Sequence, residues 1–376
     1  MFRRIGIQSV YTFFACSITG NKFRWGGGSS KRIQFAHTYE DIISVENLLA
    51  AWKEFVRGKW KKKDVQEFQY KLMDNILTLH RDLTAGTYKH SGYDHFKISD
   101  PKPRDIHKAT VRDRLLHHAL YRKLYPFFDH TFIADSYSCR RRKGTHRAMN
   151  RFRSFAYKVS RNHTRTVWVL KCDIRKFFAS IDQKILLYII ARHILDKRVA
   201  ALIAEVVGSF HAPYLSYPVG YYKYASKGLP LGNLTSQLLV NIYMNEFDTF
   251  VKHTLKAKYY IRYADDFVIL SHDKQLLRQV GRYIALFLWE RLHLELHPDK
   301  VSIKTYASGI DFLGWIHFSD HRVLRTNTKR RMLAKTEGND SLASLESYLG
   351  LLGHGNTRRL AGPLQKKIGE LEQKNK

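Results

Sequence analysis

The stretch Tyr259–Leu270, with the sequence YYIRYADDFVIL, decides the fold of this chain. Two runs rich in β-branched and aromatic residues flank a tip with two adjacent carboxylates, a pattern typical of a β-hairpin. Because neighbouring strand residues point to opposite faces, Asp265 and Asp266 are not expected to serve one site equally. Considered alone, aspartates at such a tip are usually turn formers, since their side chains hydrogen-bond the local backbone.

A third carboxylate upstream favours a functional role for this tip. Asp173 follows the apolar run Val167–Leu170, which predicts a buried strand that ends at this carboxylate. The long intervening chain leaves room for helices that bring the two strands side by side. Two converging carboxylates form an oxygen-only site suited to Mg²⁺. A zinc site is not indicated, because Cys16, Cys139 and Cys172 share no zinc-type spacing.

Five motifs, in one order, resemble those of reverse transcriptases. Tyr263–Asp266 resembles the YxDD box, and Asp173–Phe178 resembles the first palm motif. The other three are a fingers motif at Ser136–His146, a loop motif at Gly228–Gln237 and a primer-grip motif at Phe312–Trp315. A single YxDD is weak evidence, whereas five ordered motifs that span roughly residues 40 to 360 are strong evidence.

The resemblance is to bacterial enzymes related to those of group II introns. Those enzymes carry Pro-Gln-Gly where this chain has Pro230–Gly232 followed by Ser236–Gln237, a variant that resembles reverse transcriptases of diversity-generating retroelements. Leu231 replaces an amide beside the nascent base pair, and our hypothesis is that base selection is thereby loosened. Two alternatives remain: a group II intron-type or phage-defence reverse transcriptase, and an inactive RNA-binding scaffold. The presence of all three palm carboxylates argues against the scaffold.

The resemblance implies an α+β fold of the right-hand polymerase type. Residues 1–39 are expected to be a disordered or wrongly assigned leader, and 40–160 to be helical and hairpin fingers. Residues 161–320 would form a palm of antiparallel sheet plus helices, in which 228–240 return to the junction with the fingers. Residues 321–376 would form a short helical thumb.

The resemblance also implies a two-metal nucleotidyl transfer that makes cDNA. Two Mg²⁺ ions, with Mn²⁺ as a substitute, would be held by Asp173 and Asp265, with the Ile174 carbonyl as an extra ligand. Asp266 belongs to the catalytic motif, but strand alternation predicts that it lies a step away from direct ligation. Lys300 matches the lysine that protonates the leaving pyrophosphate. An inert, exposed lysine at a strand end is the alternative.

Further site residues follow from the same motifs. Arg104 would bind the incoming triphosphate, with Lys102 and Arg112 as lesser candidates, since guanidinium groups suit phosphate oxygens. Phe178 would block a ribose 2′-hydroxyl, although a core phenylalanine is the alternative. The remaining predicted residues are Leu231, Gly232 and Gln237 around the nucleotide, Arg140, Arg141, Arg142 and Lys143 on the template, and Phe312, Leu313 and Gly314 at the primer.

Composition supports a nucleic-acid partner. The 376 residues contain 64 Lys and Arg against 33 Asp and Glu, a net charge of +31. An excess of this size, interspersed with aromatic residues, favours polyanion binding. We expect a template RNA with its primer, an RNA/DNA hybrid, no membrane span and a cytoplasmic location. The resemblance adds a small basic accessory protein as partner.

Local patterns give further expectations. Residues 40–90 are predicted to be helical, and a helix is predicted to begin at Val111. The segment Asp273–Leu288 predicts an amphipathic helix with Asp273 as its N-cap. The alternation in Leu292–Leu296 predicts an edge strand.

Overall fold

The described part of the chain begins with four short helices. The computed structural model describes residues 33–99, 103–211, 226–337 and 341–374. Thr38 forms a capping box with Asp41, and the Ser44 side chain caps the next helix, so both starts are set by local sequence. The helical prediction for 40–90 is confirmed by α1 (Tyr39–Ile43), α2 (Val45–Phe55), α3 (Lys63–Tyr70) and α4 (Leu72–Thr84). The predicted leader lies outside the described residues as far as residue 32.

A hairpin and two longer helices complete this part of the chain. Strands β1 (Tyr93–Ile98) and β2 (Arg104–Ala109) pair antiparallel. Helix α5 (Val111–Thr131) begins where predicted, and the Thr110 side chain accepts a hydrogen bond from the Asp113 amide as its cap. Helix α6 (Thr145–Ser160) follows and ends with Arg161 in the left-handed conformation.

A four-stranded antiparallel sheet carries the predicted carboxylates. Its strands are β3 (Trp168–Asp173), β4 (Tyr260–Tyr263), β5 (Asp266–Ser271) and β6 (Ser302–Thr305), in the order β4-β5-β3-β6. The predicted hairpin is therefore confirmed as β4 and β5. The register places Asp173 directly opposite Asp266.

Side chains alternate between the two faces of this sheet, and each face packs against a different set of helices. Leu170 and Cys172 face a core shared with α5 and with α8 (Gln183–Ala191), α9 (Lys197–Gly208), α10 (Leu234–Thr249) and α11 (Lys274–Leu292). Val169 and Val268 face α6 on the other side. A short helix, α7 (Phe177–Ser180), follows the first palm motif. Asp273 caps α11 through the amides of Gln275 and Leu276, which confirms that prediction.

A second sheet and three helices close the chain. The sheet comprises β7 (Ile310–Phe312), β8 (Trp315–His317) and β9 (Arg322–Leu324). The helices are α12 (Thr326–Glu337), α13 (Leu342–Leu352) and α14 (Arg358–Lys374), which pack around Trp315 and Met149 of α6. Mixed helices and antiparallel sheets make the fold α+β, as predicted. The described residues include no helix with the length and apolar character needed to cross a membrane.

The edge strand predicted at Leu292–Leu296 is wrong. Helix α11 runs to Leu292, and His293 takes the left-handed conformation as its C-cap. Only one bridge forms beyond it, between Leu296 and Ile174. The helix and its cap take Leu292 and His293, so too few residues remain for a strand, and the rest pairs only with the end of β3 through the amides of Arg175 and His297.

Candidate active site

The carboxylate end of the palm sheet opens into one large cleft. Its volume is about 1600 Å³. It is lined by the β1–β2 hairpin, by the turn between β4 and β5, and by the turn between β7 and β8. Nine of the predicted site residues share this lining: Arg104, Asp173, Phe178, Leu231, Asp265, Asp266, Lys300, Leu313 and Gly314. Residues far apart in sequence are thus brought to one place.

Asp173 and Asp265 form the centre of the cleft. Asp173 ends β3, and its Oδ1 accepts a hydrogen bond from Lys300 Nζ at 2.9 Å. Asp265 occupies the turn after Ala264, whose φ of 56° is in the left-handed region. Burial and the nearby Asp173 raise the pKa of Asp265, while Lys300 and Arg104 act against that rise. A cation bound here would relieve the repulsion between the two carboxylates.

Asp266 lies beside them but is partnered differently. Its Oδ2 is 3.6 Å from Lys171 Nζ, and within the described residues its buried Oδ1 has no hydrogen-bond partner. Burial raises the pKa of Asp266 to about 7. Asp265 is in the turn and Asp266 is the first residue of β5 on the same face as Asp173, so alternation along one strand does not separate the two side chains. That Asp266 lies a step away from direct ligation stays a prediction.

These oxygen donors fit a hard divalent cation. Two carboxylates under like-charge repulsion and an unsatisfied carboxylate oxygen are the chemistry that Mg²⁺ or Mn²⁺ would satisfy. Across the described ranges, no group of three or more His, Cys, Asp or Glu side chains is arranged to hold a metal ion. Substrate phosphates and water would therefore have to complete the coordination. The Ile174 side chain has no atom that can bind a metal, so only its backbone carbonyl could contribute.

A polar chain joins Asp266 to the start of α12. Lys171 Nζ, which lies near Asp266, also donates to the Asp311 carbonyl. The Asp311 carboxylate accepts from Arg325 Nε at 2.9 Å. The Arg325 amide donates to the Gly314 carbonyl at 3.1 Å, next to the first residue of α12. We name Lys171, Asp311 and Arg325 the palm–thumb chain.

Sequence comparison decides the family. Residues 97–317 match the model of the family described as "Reverse transcriptase (RNA-dependent DNA polymerase)". The chain belongs to the reverse transcriptase family. Members of this family are generally dependent on divalent metals, which agrees with the donor set of the cleft. The chain is accordingly an RNA-directed DNA polymerase of a group with intron-encoded relatives.

Two curated relatives and one solved structure illustrate the likeness. Protein YkfC of Escherichia coli K12 is 25% identical over 295 residues, which are 69% of this chain and 74% of YkfC. The group II intron-encoded protein LtrA of Lactococcus lactis is 23% identical over 297 residues, 62% of this chain and 47% of LtrA. A truncated apo telomerase of Candida tropicalis aligns with a TM-score of 0.44 and 12% identity, over 67% of this chain and 60% of that chain.

Several predicted reverse-transcriptase residues lie outside the cleft. Arg112 pairs with Asp82 at 2.7 Å and does not line the cleft. Gln237 is exposed on α10. Gly232 has a φ of 111° and leaves only 3.0 Å between its absent Cβ and Ile106 of the fingers hairpin. Phe312 is fully buried behind the primer-grip turn. Lys102 lies outside the described residues.

The basic run at Arg140–Lys143 divides into different roles. Arg140 donates to the Asp129 carboxylate at 2.6 Å and to three backbone carbonyls, so the structure corrects its prediction as a template contact. Lys143 donates to the Ala134 carbonyl at 2.7 Å. Arg141 lies over the Tyr125 ring. Arg141 and Arg142 remain exposed and keep their predicted role.

Sequence reasoning missed part of the cleft. His95, Lys97 and His107 line it from the fingers hairpin, and Lys176 and Phe210 line it from the palm side. His95 lies opposite His107 in the ladder, and their rings are 4.9 Å apart. Because residues two apart on a strand share a face, the spacing of His95 and Lys97 could have indicated that both side chains point to the cleft. Phe210 had no such signal, because it follows a helix in an apolar context.

Proposed function

We propose that this chain copies a structured RNA into cDNA by two-metal nucleotidyl transfer in this cleft. The observation that carries the proposal is the convergence of Asp173, Asp265 and Lys300 at the open end of the palm sheet. Bound Mg²⁺ ions would lower the pKa of the primer 3′-hydroxyl and neutralise charge on the triphosphate. Asp173 and Asp265 would hold them, and Asp266 would support this pair from behind.

The cationic side chains have separate roles in this proposal. Lys300 holds Asp173 in place through a hydrogen bond, and in the reaction it would give a proton to the leaving pyrophosphate. Arg104, exposed on β2 and close enough to affect Asp265, binds the triphosphate. Most of the rate would come from positioning and charge neutralisation, with no covalent enzyme intermediate.

Phe178 serves as the sugar selector. It is half-buried at the start of α7 and lines the cleft, so its ring can exclude a ribose 2′-hydroxyl. Phe178→Ala should raise the use of ribonucleotides relative to deoxynucleotides by about tenfold or more, a steric effect of 1–3 kcal/mol. Phe178→Tyr keeps the ring and should retain discrimination. Unchanged sugar selection in the alanine variant would contradict this role.

The subtype proposed first is the error-prone enzyme of a diversity-generating retroelement. Leu231 lines the cleft, and its carbonyl accepts a hydrogen bond from the His107 amide, which fixes this apolar side chain beside the fingers. The curated relatives support the second candidate, a group II intron-type enzyme. Leu231→Gln should reduce misincorporation opposite template adenines, measured by sequencing the cDNA. An unchanged error spectrum would favour the second candidate.

The proposed partners follow from the reaction. They are a template RNA, its primer, the RNA/DNA hybrid and a small basic accessory protein, in the cytoplasm. The test is primer extension by the purified chain on matched RNA and DNA templates, with and without Mg²⁺. Metal-dependent extension on RNA supports the proposal. Metal-dependent extension on the DNA template alone would contradict it.

A further inference from the structure

The outward face of α6 carries cations and no carboxylates. Helix α6 contains no acidic residue at any position. Four cations lie exposed along it and just beyond its end: Arg147, Arg153, Lys158 and Arg161. Within the described residues, none of these four forms an ion pair. We name them, together with the exposed Tyr157, the α6 basic face.

A second guanidinium group lies beside this face. Arg322 of β9 lies close to Arg153, and it donates to the Asn150 side chain at 3.2 Å. Burial and the Arg153 guanidinium hold the pKa of Arg322 below its usual value. The Asp320 carboxylate of this neighbourhood is exposed and pairs with His321. Two guanidinium groups that repel each other form a place where a phosphate would be stabilised.

The face starts at the catalytic cleft and leads away from it. Thr145, the first residue of α6, donates to the hydroxyl of Tyr263, which lines the cleft beside Asp265. From Arg147 to Arg161 the helix rises about 20 Å, at 1.5 Å per residue. The inner side of α6 packs on the palm sheet through Phe152 and Phe155, so the cations are held on the opposite side.

The far end of the face has an unusual backbone. Arg161, Asn162 and His163 are all exposed and all have φ between 51° and 64°. Successive left-handed residues that are not glycine are costly and occur where the surroundings enforce them. Here Ser160 Oγ accepts from the His163 amide at 2.9 Å, and the His163 ring contacts Tyr157 edge to face. The loop thus holds cationic and aromatic groups in a fixed arrangement.

We propose that the α6 basic face binds the backbone of template RNA that flanks the primed region, outside the catalytic cleft. A row of exposed cations with an exposed tyrosine suits a phosphate backbone and an unstacked base. RNA is the occupant proposed because the enzyme must hold its template before any DNA has been made. The identification of the bound RNA as the template of the reaction rests on the proposed function.

The test compares two charge-matched double variants of the full chain. Arg153→Gln with Arg161→Gln removes two cations from the α6 basic face. Arg278→Gln with Arg282→Gln removes two exposed cations from α11, which packs on the other side of the palm sheet. Affinity is measured by fluorescence anisotropy for a short primed RNA template and for that template with single-stranded RNA flanks.

We expect a loss of affinity only for the template with flanks and only in the variant of the α6 basic face. The first double variant should bind the RNA-flanked template about tenfold more weakly, with a smaller salt dependence, because two phosphate contacts are lost. It should bind and extend the short template normally, and Arg153→Lys with Arg161→Lys should restore the affinity. The α11 variant should behave as wild type.

Two outcomes would overturn the proposal. These are an equal loss in both double variants, or a loss on the short template. Failure of the wild-type protein to extend the short template would count against the proposed function instead. The two proposals are therefore tested separately.

Discussion

Lys171 is the cation that serves the buried side of the catalytic centre. It is two residues before Asp173 on the same face of β3, and it reaches both Asp266 and the Asp311 carbonyl. Without it, Asp266 would keep a buried oxygen with no partner and lose its adjacent positive charge. The same side chain therefore supports the carboxylate and joins the palm to the second sheet.

We expect Lys171→Met to lower both stability and rate. The loss of a partly buried ion pair should cost about 1–3 kcal/mol in the free energy of unfolding. The rate of incorporation should fall by at least about tenfold because Asp266 is no longer held. Lys171→Arg, which keeps the charge, should recover most of both, measured by denaturant unfolding and primer extension. A methionine variant with wild-type activity would refute the role.

Among the elements, the predicted thumb (residues 321–376) packs on the rest of the protein through a loop that leaves no space for an added side chain. Gly355 lies so close to Trp315 of β8 that an added Cβ would be 2.0 Å from the indole ring. The neighbouring His354 ring stacks on His146 of α6 at 3.5 Å, and Arg322 donates to the His354 carbonyl. One loop thus fixes the thumb against both the second sheet and α6.

Gly355→Ala should therefore loosen the thumb. Since Trp315 is fully buried and cannot move aside, we expect a loss of about 2 kcal/mol or more in unfolding free energy and weaker binding of primer–template. Gly350→Ala is the matched control, because its Cβ would meet nothing within 4 Å in α13. It should be neutral or stabilising by about 0.5–1 kcal/mol. Equal effects of the two variants would contradict this docking.

Local elements were predictable where local sequence decides them. The β4–β5 hairpin, the start of α5 and the Asp273 cap depend on nearby residues, and all three were predicted correctly. The palm–thumb chain was not predictable, because Asp311 and Arg325 meet Lys171 only through tertiary packing. The Arg140 prediction was wrong for the same reason: a basic run does not reveal that Asp129 will accept from it.

For the whole molecule, buried neutral histidines make stability depend on pH. Burial lowers the pKa of His117 to about 3 and that of His118 and His317 to about 4. The unfolded chain takes up these protons near the ordinary pKa of 6.5, before the folded chain does. This contribution to the free energy of unfolding is complete above pH 6.5, and it is lost as the pH falls toward the pKa values of these histidines in the folded protein.

His117→Gln should flatten this dependence. Each such histidine contributes a slope of about 1.4 kcal/mol per pH unit between its two pKa values. The variant should therefore lose less unfolding free energy than the wild type between pH 6 and pH 4, measured by denaturant titration at each pH. His37→Gln, at an exposed site, should leave the slope unchanged. An identical slope in the His117 variant would contradict the assignment.

The site as a whole was partly readable from sequence. The net charge predicted a nucleic-acid partner, and the motif order predicted a polymerase whose family the comparisons then established. Motifs could not show that the fingers hairpin brings His95 and His107 into the cleft. That placement depends on how the hairpin packs against Phe210, a contact between distant segments.

The central claim is that Asp173 and Asp265 carry the chemistry. The direct test is single-turnover incorporation of dNTP on a primed RNA template with Mg²⁺, by wild type, Asp265→Asn and Asp299→Asn. Asp299 is the control, since it is 88% exposed and close to Lys300 in sequence. We predict a loss of about a thousandfold for Asp265→Asn, equivalent to several kcal/mol, and little change for Asp299→Asn. Incorporation by Asp265→Asn within about tenfold of an active wild type would contradict the account.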